Sequence, residues 1–170
     1  ALGVALAKRG DLNGAIEEYR AALQYQPDLV VAHQGLGAAL HAKGDLTGAI
    51  AEYRTAVRLN PNLVEAHYNL GRALTATGDQ AAAIEEYRTT ARLQPGNAQA
   101  YFNLGLALQA KRDLDGAIEE YRHAIRLQPD HAGAHHNLGL ALKAKGNLLG
   151  AIAEYQESLR LENKDAYTHH

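Results

Sequence analysis

The chain has 170 residues, a formal net charge of −2 and a pI near 6.5. It therefore offers no basic field to hold a phosphate backbone, and nucleic acid is not an expected partner. It contains no cysteine, which excludes disulfide frameworks, thiolate metal sites and cysteine nucleophiles and favours a reducing, cytoplasmic setting. No apolar run approaches the ~18 residues that suggest a membrane span, so no membrane partner is expected. The sequence also lacks methionine, and with it an initiator, so it is expected to be cut from something longer.

Residues 1–9, ALGVALAKR, match the second half of a segment that recurs later, as LGAALHAKG after Gly35 and LGLALKAKG after Asn137. The N-terminus is therefore expected to start inside a helix. Next comes GDLNGAIEEYRAALQYQP, Gly10 to Pro27, which returns from Gly44 to Pro61, Gly78 to Pro95 and Arg112 to Pro129, and as GNLLGAIAEYQESLRLEN from Gly146 to Asn163. The four prolines fall 34 residues apart, as do Tyr19, Tyr53, Tyr87, Tyr121 and Tyr155. A fixed period of this size marks a repeat array in which each unit touches its neighbours.

Each repeat reads as two helices. In the first, Ala66, Leu70, Ala73 and Leu74 form one apolar stripe at i, i+4, i+7 and i+8. A glycine stop and a capping aspartate follow at Gly78-Asp79. The second helix carries Ala83, Ile84, Tyr87, Ala91 and Leu93 and ends before Pro95, because proline disfavours helical geometry in the residue before it. Asp28, Asn62 and Asp130, just after prolines, are expected to cap the next first helix. Strand signals are absent, so the fold class is all-α. The repeats fall at approximately 1–29 (truncated), 30–63, 64–97, 98–131 and 132–165, with 166–170 opening a further one.

The third repeat sets His67, Leu70-Gly71, Leu74, Ala83, Tyr87, Thr90 and Pro95 in register; the fourth sets Tyr101, Leu104-Gly105, Leu108, Ala117, Tyr121, Ala124 and Pro129. This pattern resembles the tetratricopeptide repeat family over the whole chain. The resemblance implies a right-handed α-solenoid superhelix of helix-turn-helix repeats, with the first helices lining a concave groove. Departures are mild: His at the bulky position in three repeats, Arg112 for a turn glycine, and Thr90 and Ser158 for a small alanine. Gly37, Gly71, Gly105 and Gly139, with Ala49, Ala83, Ala117 and Ala151 opposite, read as close-packing scaffold.

Signals for catalysis are lacking. Ser158, the only serine, sits where Ala22, Ala56 and Ala124 stand in other repeats, and reads as packing rather than nucleophile. Gly35-Leu36-Gly37 lacks the third glycine and the preceding strand of a dinucleotide fingerprint. The recurring Glu17-Glu18, Glu85-Glu86 and Glu119-Glu120 read as solvated helix faces. His33, His67, His135 and His169 share one repeat position and need not converge. His131 and His135, at i and i+4, lack the further ligands of a tetrahedral set. No metal, cofactor or catalytic residue is expected.

What varies between repeats is the face that, by the resemblance, lines the groove. Val31, Gln34, Ala38 and His41 are followed by Glu65, Tyr68, Arg72 and Thr75, then Gln99, Phe102, Leu106 and Gln109, then Gly133, His136, Leu140 and Lys143. Tyr68, Phe102 and His136 are flat side chains suited to apolar or prolyl parts of a peptide. Asn69, Asn103 and Asn137, each before Leu-Gly, offer donor and acceptor to an extended backbone. The ladder resembles that in the repeat arm of O-linked N-acetylglucosamine transferases; alternatively, these amides satisfy neighbouring helix backbone. The lysine- and arginine-rich clamp with which some members of the family hold acidic chaperone tails looks absent, since Gln34, Tyr68 and Phe102 fill its slots. The expectation is a non-catalytic interaction module for a protein or peptide ligand, alternatively the docking arm of a larger enzyme. Because AYTHH at the C-terminus supplies the turn missing before Ala1, head-to-tail self-association is a further expectation.

Overall fold

The computed structural model describes residues 2–168, with side chains through Lys164. Among these residues it is all-α. Ten helices follow one another: α1 Leu2–Lys8, α2 Leu12–Tyr25, α3 Val30–Ala42, α4 Leu46–Leu59, α5 Val64–Thr77, α6 Gln80–Leu93, α7 Ala98–Ala110, α8 Leu114–Leu127, α9 Ala132–Ala144 and α10 Leu148–Thr168. The odd-numbered helices are the first of each pair and the even-numbered the second. Contacts divide the chain into two compact units, Ala1–Glu86 and Tyr87–His170, with the division inside α6. In unit 1, α2 packs against α1 and α3, α4 against α3 and α5, and the first-type helices α1, α3 and α5 touch in sequence. In unit 2, α8 packs on α7 and α9, α10 on α9, and α7 touches α9.

The second-type helices start where the sequence places them. Asp11, Asp45, Asp79, Asp113 and Asn147 each accept a hydrogen bond from the backbone N–H three residues on, at 2.9 to 3.2 Å. The first-type helices differ. Their N-cap positions are Leu29, Leu63, Asn97 and His131, one residue later than the expected caps Asp28, Asn62 and Asp130. The turn after each proline uses one more residue than a direct Pro-cap junction, which leaves Leu29 and Leu63 with no side-chain cap. Asn97 and His131 do cap, accepting from Ala100 and Ala134 at 3.1 Å.

Within the two units, the α3–α4 and α7–α8 hairpins are each closed by a tyrosine laid over a glycine. Tyr53 and Tyr121 are 1% and 0% exposed. A methyl group added at Gly37 would lie 2.8 Å from the Tyr53 ring, and at Gly105 2.5 Å from that of Tyr121. Only a residue without a Cβ permits that approach. The facing alanines, Ala49 and Ala117, are fully buried. Ser158, at the alanine position of its repeat, is buried and donates its hydroxyl to the Ala132 carbonyl at 3.0 Å, joining α10 to the start of α9.

A polar tether recurs at the histidine position. His33 places Nδ1 2.6 Å from Glu52 Oε2 and Nε2 2.7 Å from the Pro27 carbonyl. His67 does the same with Glu86 and Pro61, and His135 with Glu154 and Pro129. Each ring thus ties its helix both to the second helix of the pair and to the preceding turn. The sequence suggests a plain packing residue here, and what it conceals is the partner 19 residues on. In the fourth repeat Tyr101 replaces the histidine and stacks on His123, ring centroids 4.8 Å apart. Glu120, the counterpart of Glu52, Glu86 and Glu154, then has a buried Oε2 without a hydrogen-bond donor among the described residues. His123 Nδ1 stands 3.8 Å away. Burial first, and Glu119 second, hold the Glu120 carboxyl above its ordinary range.

The turn before each second helix puts Gly10, Gly44, Gly78 and Gly146 at φ near +84°, and Arg112 adopts φ 64° at the same position. An arginine there carries the left-handed strain that its four counterparts avoid. At the C-terminal end α10 continues through Thr168, because Asn163 stands where Pro27, Pro61, Pro95 and Pro129 follow the other second helices. His169, expected to share the histidine position, lies outside the described residues.

Candidate functional site

The variable face lies on the first-type helices, and each unit presents its own part of it. In unit 1, His41 comes from the last turn of α3, while Asn69 and Arg72 come from adjacent turns of α5. Spacing of three residues brings these last two to one helix face. The three side chains, with Ala38, Ala42 and Tyr53, line one pocket of about 210 Å³. Arg72 is exposed, and its guanidinium carbon lies 6.0 Å from the centroid of the half-buried Tyr68 ring. Burial, and the Arg72 charge after it, hold His41 below its usual range, so its ring is neutral at neutral pH. Tyr53 is pushed up to about 12, chiefly by burial, with Arg72 opposing and Glu65 reinforcing the rise. Its hydroxyl keeps its proton. Glu65 stands exposed at the start of α5, and Gln34 is half-buried on α3.

Unit 2 has a different character. Phe102 is wedged between Tyr121, at 6.0 Å between centroids, and His131, at 4.6 Å. His136 is exposed and tilts against Tyr155 at 5.6 Å. Gln99 donates to Asn103 Oδ1 at 3.0 Å, Asn137 donates to the Gly133 carbonyl at 2.8 Å, and Gln109 accepts from the Tyr121 hydroxyl at 2.9 Å. Lys143 is exposed near the end of α9.

The asparagines at one repeat position therefore occupy different settings. Asn137 spends one N–H on its own helix, Asn103 is oriented by Gln99, and Asn69 faces the pocket. His131 and His135 are both engaged, the first as a helix cap through Nδ1 and the second through both nitrogens. Among the described residues no group of three or more metal-ligating side chains gathers. Sequence reasoning used Tyr53 only as a marker of the 34-residue period; it also forms part of the pocket. Its repetition at every 34th residue hides that second role.

Comparison with known families closes the question of kinship. Models of the TPR repeat match residues 3–44, 37–78, 71–111 and 110–146, and a tetratricopeptide repeat model matches residues 132–165. The chain belongs to the tetratricopeptide repeat family. Among solved tetratricopeptide structures, a crystal structure of MamA is 30% identical, with a TM-score of 0.95 over 98% of each chain. MamA from Desulfovibrio magneticus RS-1 is 23% identical, with a TM-score of 0.91 over 96% of this chain and 92% of that one. YrrB, described as a TPR protein with an unusual peptide-binding site, is 22% identical with a TM-score of 0.87, covering 95% of this chain and 83% of its own. At those two identities the likeness is one of fold alone. Comparison with curated proteins gives no match. Among the described residues no helix is long and apolar enough to cross a membrane.

Proposed function

We propose that the protein is a non-catalytic interaction module that binds an extended peptide along the face formed by its first-type helices. The observation that carries this reading is a division of labour within the repeat. Gly37, Gly105 and Gly139, Ala49, Ala83 and Ala117, and the five tyrosines recur to build the hairpins. On the first-type helices, by contrast, Gln34, Tyr68, Phe102 and His136 share one repeat position yet differ in chemistry, and His136 and Arg72 stand exposed. A surface that changes while its support stays fixed is suited to recognition. Flat rings and amides there match the apolar side chains and backbone groups of an extended chain. The test is selection from a random-peptide display library on the wild type and on Asn69→Ala/Asn103→Ala/Asn137→Ala, with helicity checked by circular dichroism. Peptides enriched on the wild type and lost on the variant support the reading; peptides that ignore the substitutions move the site elsewhere.

A second reading rests on α10. Its Leu149, Ile152 and Leu159 are 83%, 53% and 59% exposed, whereas Ile118, at the repeat position of Ile152, is 9% exposed in α8, against which α9 packs. The face that a following repeat covers inside the chain is open on α10, and head-to-tail stacking of a second copy covers it. Sedimentation that depends on concentration, and ceases to in Ile152→Asp, supports this reading. A strictly monomeric profile rejects it.

A further inference from the structure

We propose that His131 is a proton-operated latch in unit 2: its uncharged ring caps α9 and seats Phe102, and protonation in mild acid releases both. The proposal goes beyond the peptide-binding reading, because it concerns the turn before α9 and the adjoining part of the first-helix face, whatever lies on them.

The N-caps of α3, α5, α7 and α9 are of three chemical kinds. Leu29 and Leu63 offer no side-chain acceptor. Asn97 accepts from the Ala100 N–H at 3.1 Å through an amide oxygen, which does not titrate. His131 accepts from the Ala134 N–H at 3.1 Å through Nδ1. A backbone N–H only donates, so this nitrogen keeps its lone pair and the ring is the neutral tautomer with its proton on Nε2. A proton on Nδ1 would set donor against donor and place a positive charge at the positive end of the helix dipole. The imidazolium therefore has to leave the cap position.

What leaves with it is the support of Phe102. The two ring centroids are 4.6 Å apart, with the planes tilted by 44°. A Cβ at Gly133 would lie 3.5 Å from His131 Cε1 and from Phe102 Cζ alike, so the histidine, the phenylalanine and the first turn of α9 form one cluster. Phe102 belongs to the variable face of α7, and the Tyr121 ring is farther from it, at 6.0 Å. Movement of the histidine ring thus reaches the face directly.

The surroundings favour the uncharged ring. Burial foremost, and then His135 of α9, hold His131 below the ordinary histidine range, with its own backbone and the exposed Asp130 opposing. His135 is itself bonded to Glu154 of α10. The end of α8 presents the uncharged Gln128, and α7 the uncharged Phe102. Because the folded-state value lies below the unfolded one, the latch contributes above the ordinary histidine range and is lost as pH falls through the lower value.

The test follows the whole chain by NMR from about pH 8 to about 5, across the ordinary histidine value of about 6.5. Phe102 is the only phenylalanine, so its ring resonances are unambiguous. Ala100, capped by Asn97, is an internal control. The Ala134 amide and the Phe102 ring should shift together, with the midpoint of the His131 ring. Exchange of the Ala134 amide, corrected for its intrinsic pH dependence, should rise roughly fivefold, the worth of one cap, while Ala100 stays level. His131→Asn keeps a cap of the Asn97 kind, so its circular dichroism should match the wild type and neither Ala134 nor Phe102 should titrate. No titration of Ala134, an equal one in His131→Asn, or movement of Ala134 without Phe102 overturns the latch. Its failure leaves the peptide-library result untouched, and a library that yields nothing leaves the latch standing.

Discussion

Replacing Tyr101 by histidine should stabilise the fourth repeat. In its neighbours a histidine at this position holds a glutamate at 2.6 to 2.7 Å and a proline carbonyl at 2.7 to 3.1 Å. Glu120 and the Pro95 carbonyl stand at the matching positions, and Glu120 Oε2 is buried without a donor among the described residues. A hydrogen bond to a charged group contributes about 1.5–3 kcal/mol. Against this stands the lost stacking of Tyr101 on His123, about 0.5–1.5 kcal/mol. The net gain is about 1 kcal/mol, a rise in melting temperature of roughly 2–4 °C for a chain of this size. Urea and thermal denaturation of Tyr101→His, Glu120→Ala and the double variant separate the pair from its surroundings.

A pH series adds an independent reading. The folded-state pKa of Glu120 is raised, so between the ordinary carboxylate value and the raised one the folded chain binds more protons than the unfolded. Its contribution to stability is therefore present at low pH and lost as pH rises through that window. Tyr101→His should flatten the slope. A gain that persists in the Glu120→Ala background, or no gain at all, refutes the reasoning.

Three further substitutions test other parts of the account. Arg112→Gly should stabilise by about 1 kcal/mol, because the left-handed conformation at φ 64° costs a side-chain-bearing residue about 1–2 kcal/mol, partly offset by glycine's freedom in the unfolded chain; a lower urea midpoint contradicts this. Gly105→Ala should destabilise by about 1–3 kcal/mol, since its methyl group would meet the Tyr121 ring at 2.5 Å, and an unchanged melting temperature would show that the ring yields freely. Gln80→Leu should stabilise by about 1–3 kcal/mol in a urea melt, because the Gln80 Oε1 is buried and unsatisfied where Leu12, Leu46, Leu114 and Leu148 stand in the other repeats.

The helices were legible in the sequence because five copies of one pattern average out local ambiguity. Asp45 and Asp113 announce helix starts, Pro61 and Pro129 announce helix ends, and Gly105 and Ala117 announce a close contact. The first-type caps were not legible, since the turn after proline admits two alignments and only the backbone decides that Leu63, not Asn62, is the N-cap. The His–Glu tethers were hidden for another reason. A histidine and a glutamate 19 residues apart each look ordinary alone, and only the packing of the two helices brings them together. At the candidate site, His41, Asn69 and Arg72 were visible as residues that vary. Their convergence with Tyr53 was not, because a residue present in every repeat gives no contrast between repeats.

In a chain of near-identical units the departures carry the information, and burial sorts them into two kinds. Tyr101 strands a buried carboxylate, Arg112 occupies a left-handed backbone position, and Gln80 leaves a buried carbonyl unsatisfied. These act on stability, and for each the neighbouring repeats supply the repair. Arg72 differs in kind. It is exposed, it disturbs no packing, and restoring the residue of another repeat, Ala38, Leu106 or Leu140, would remove a charge without relieving any strain. The His41 departure from Gln109 lines the same pocket, so the bond that Tyr121 donates to Gln109 has no counterpart between Tyr53 and His41. Two departures in adjacent repeats that meet in one pocket, and that no packing demand of the hairpins explains, are the ones to test for recognition.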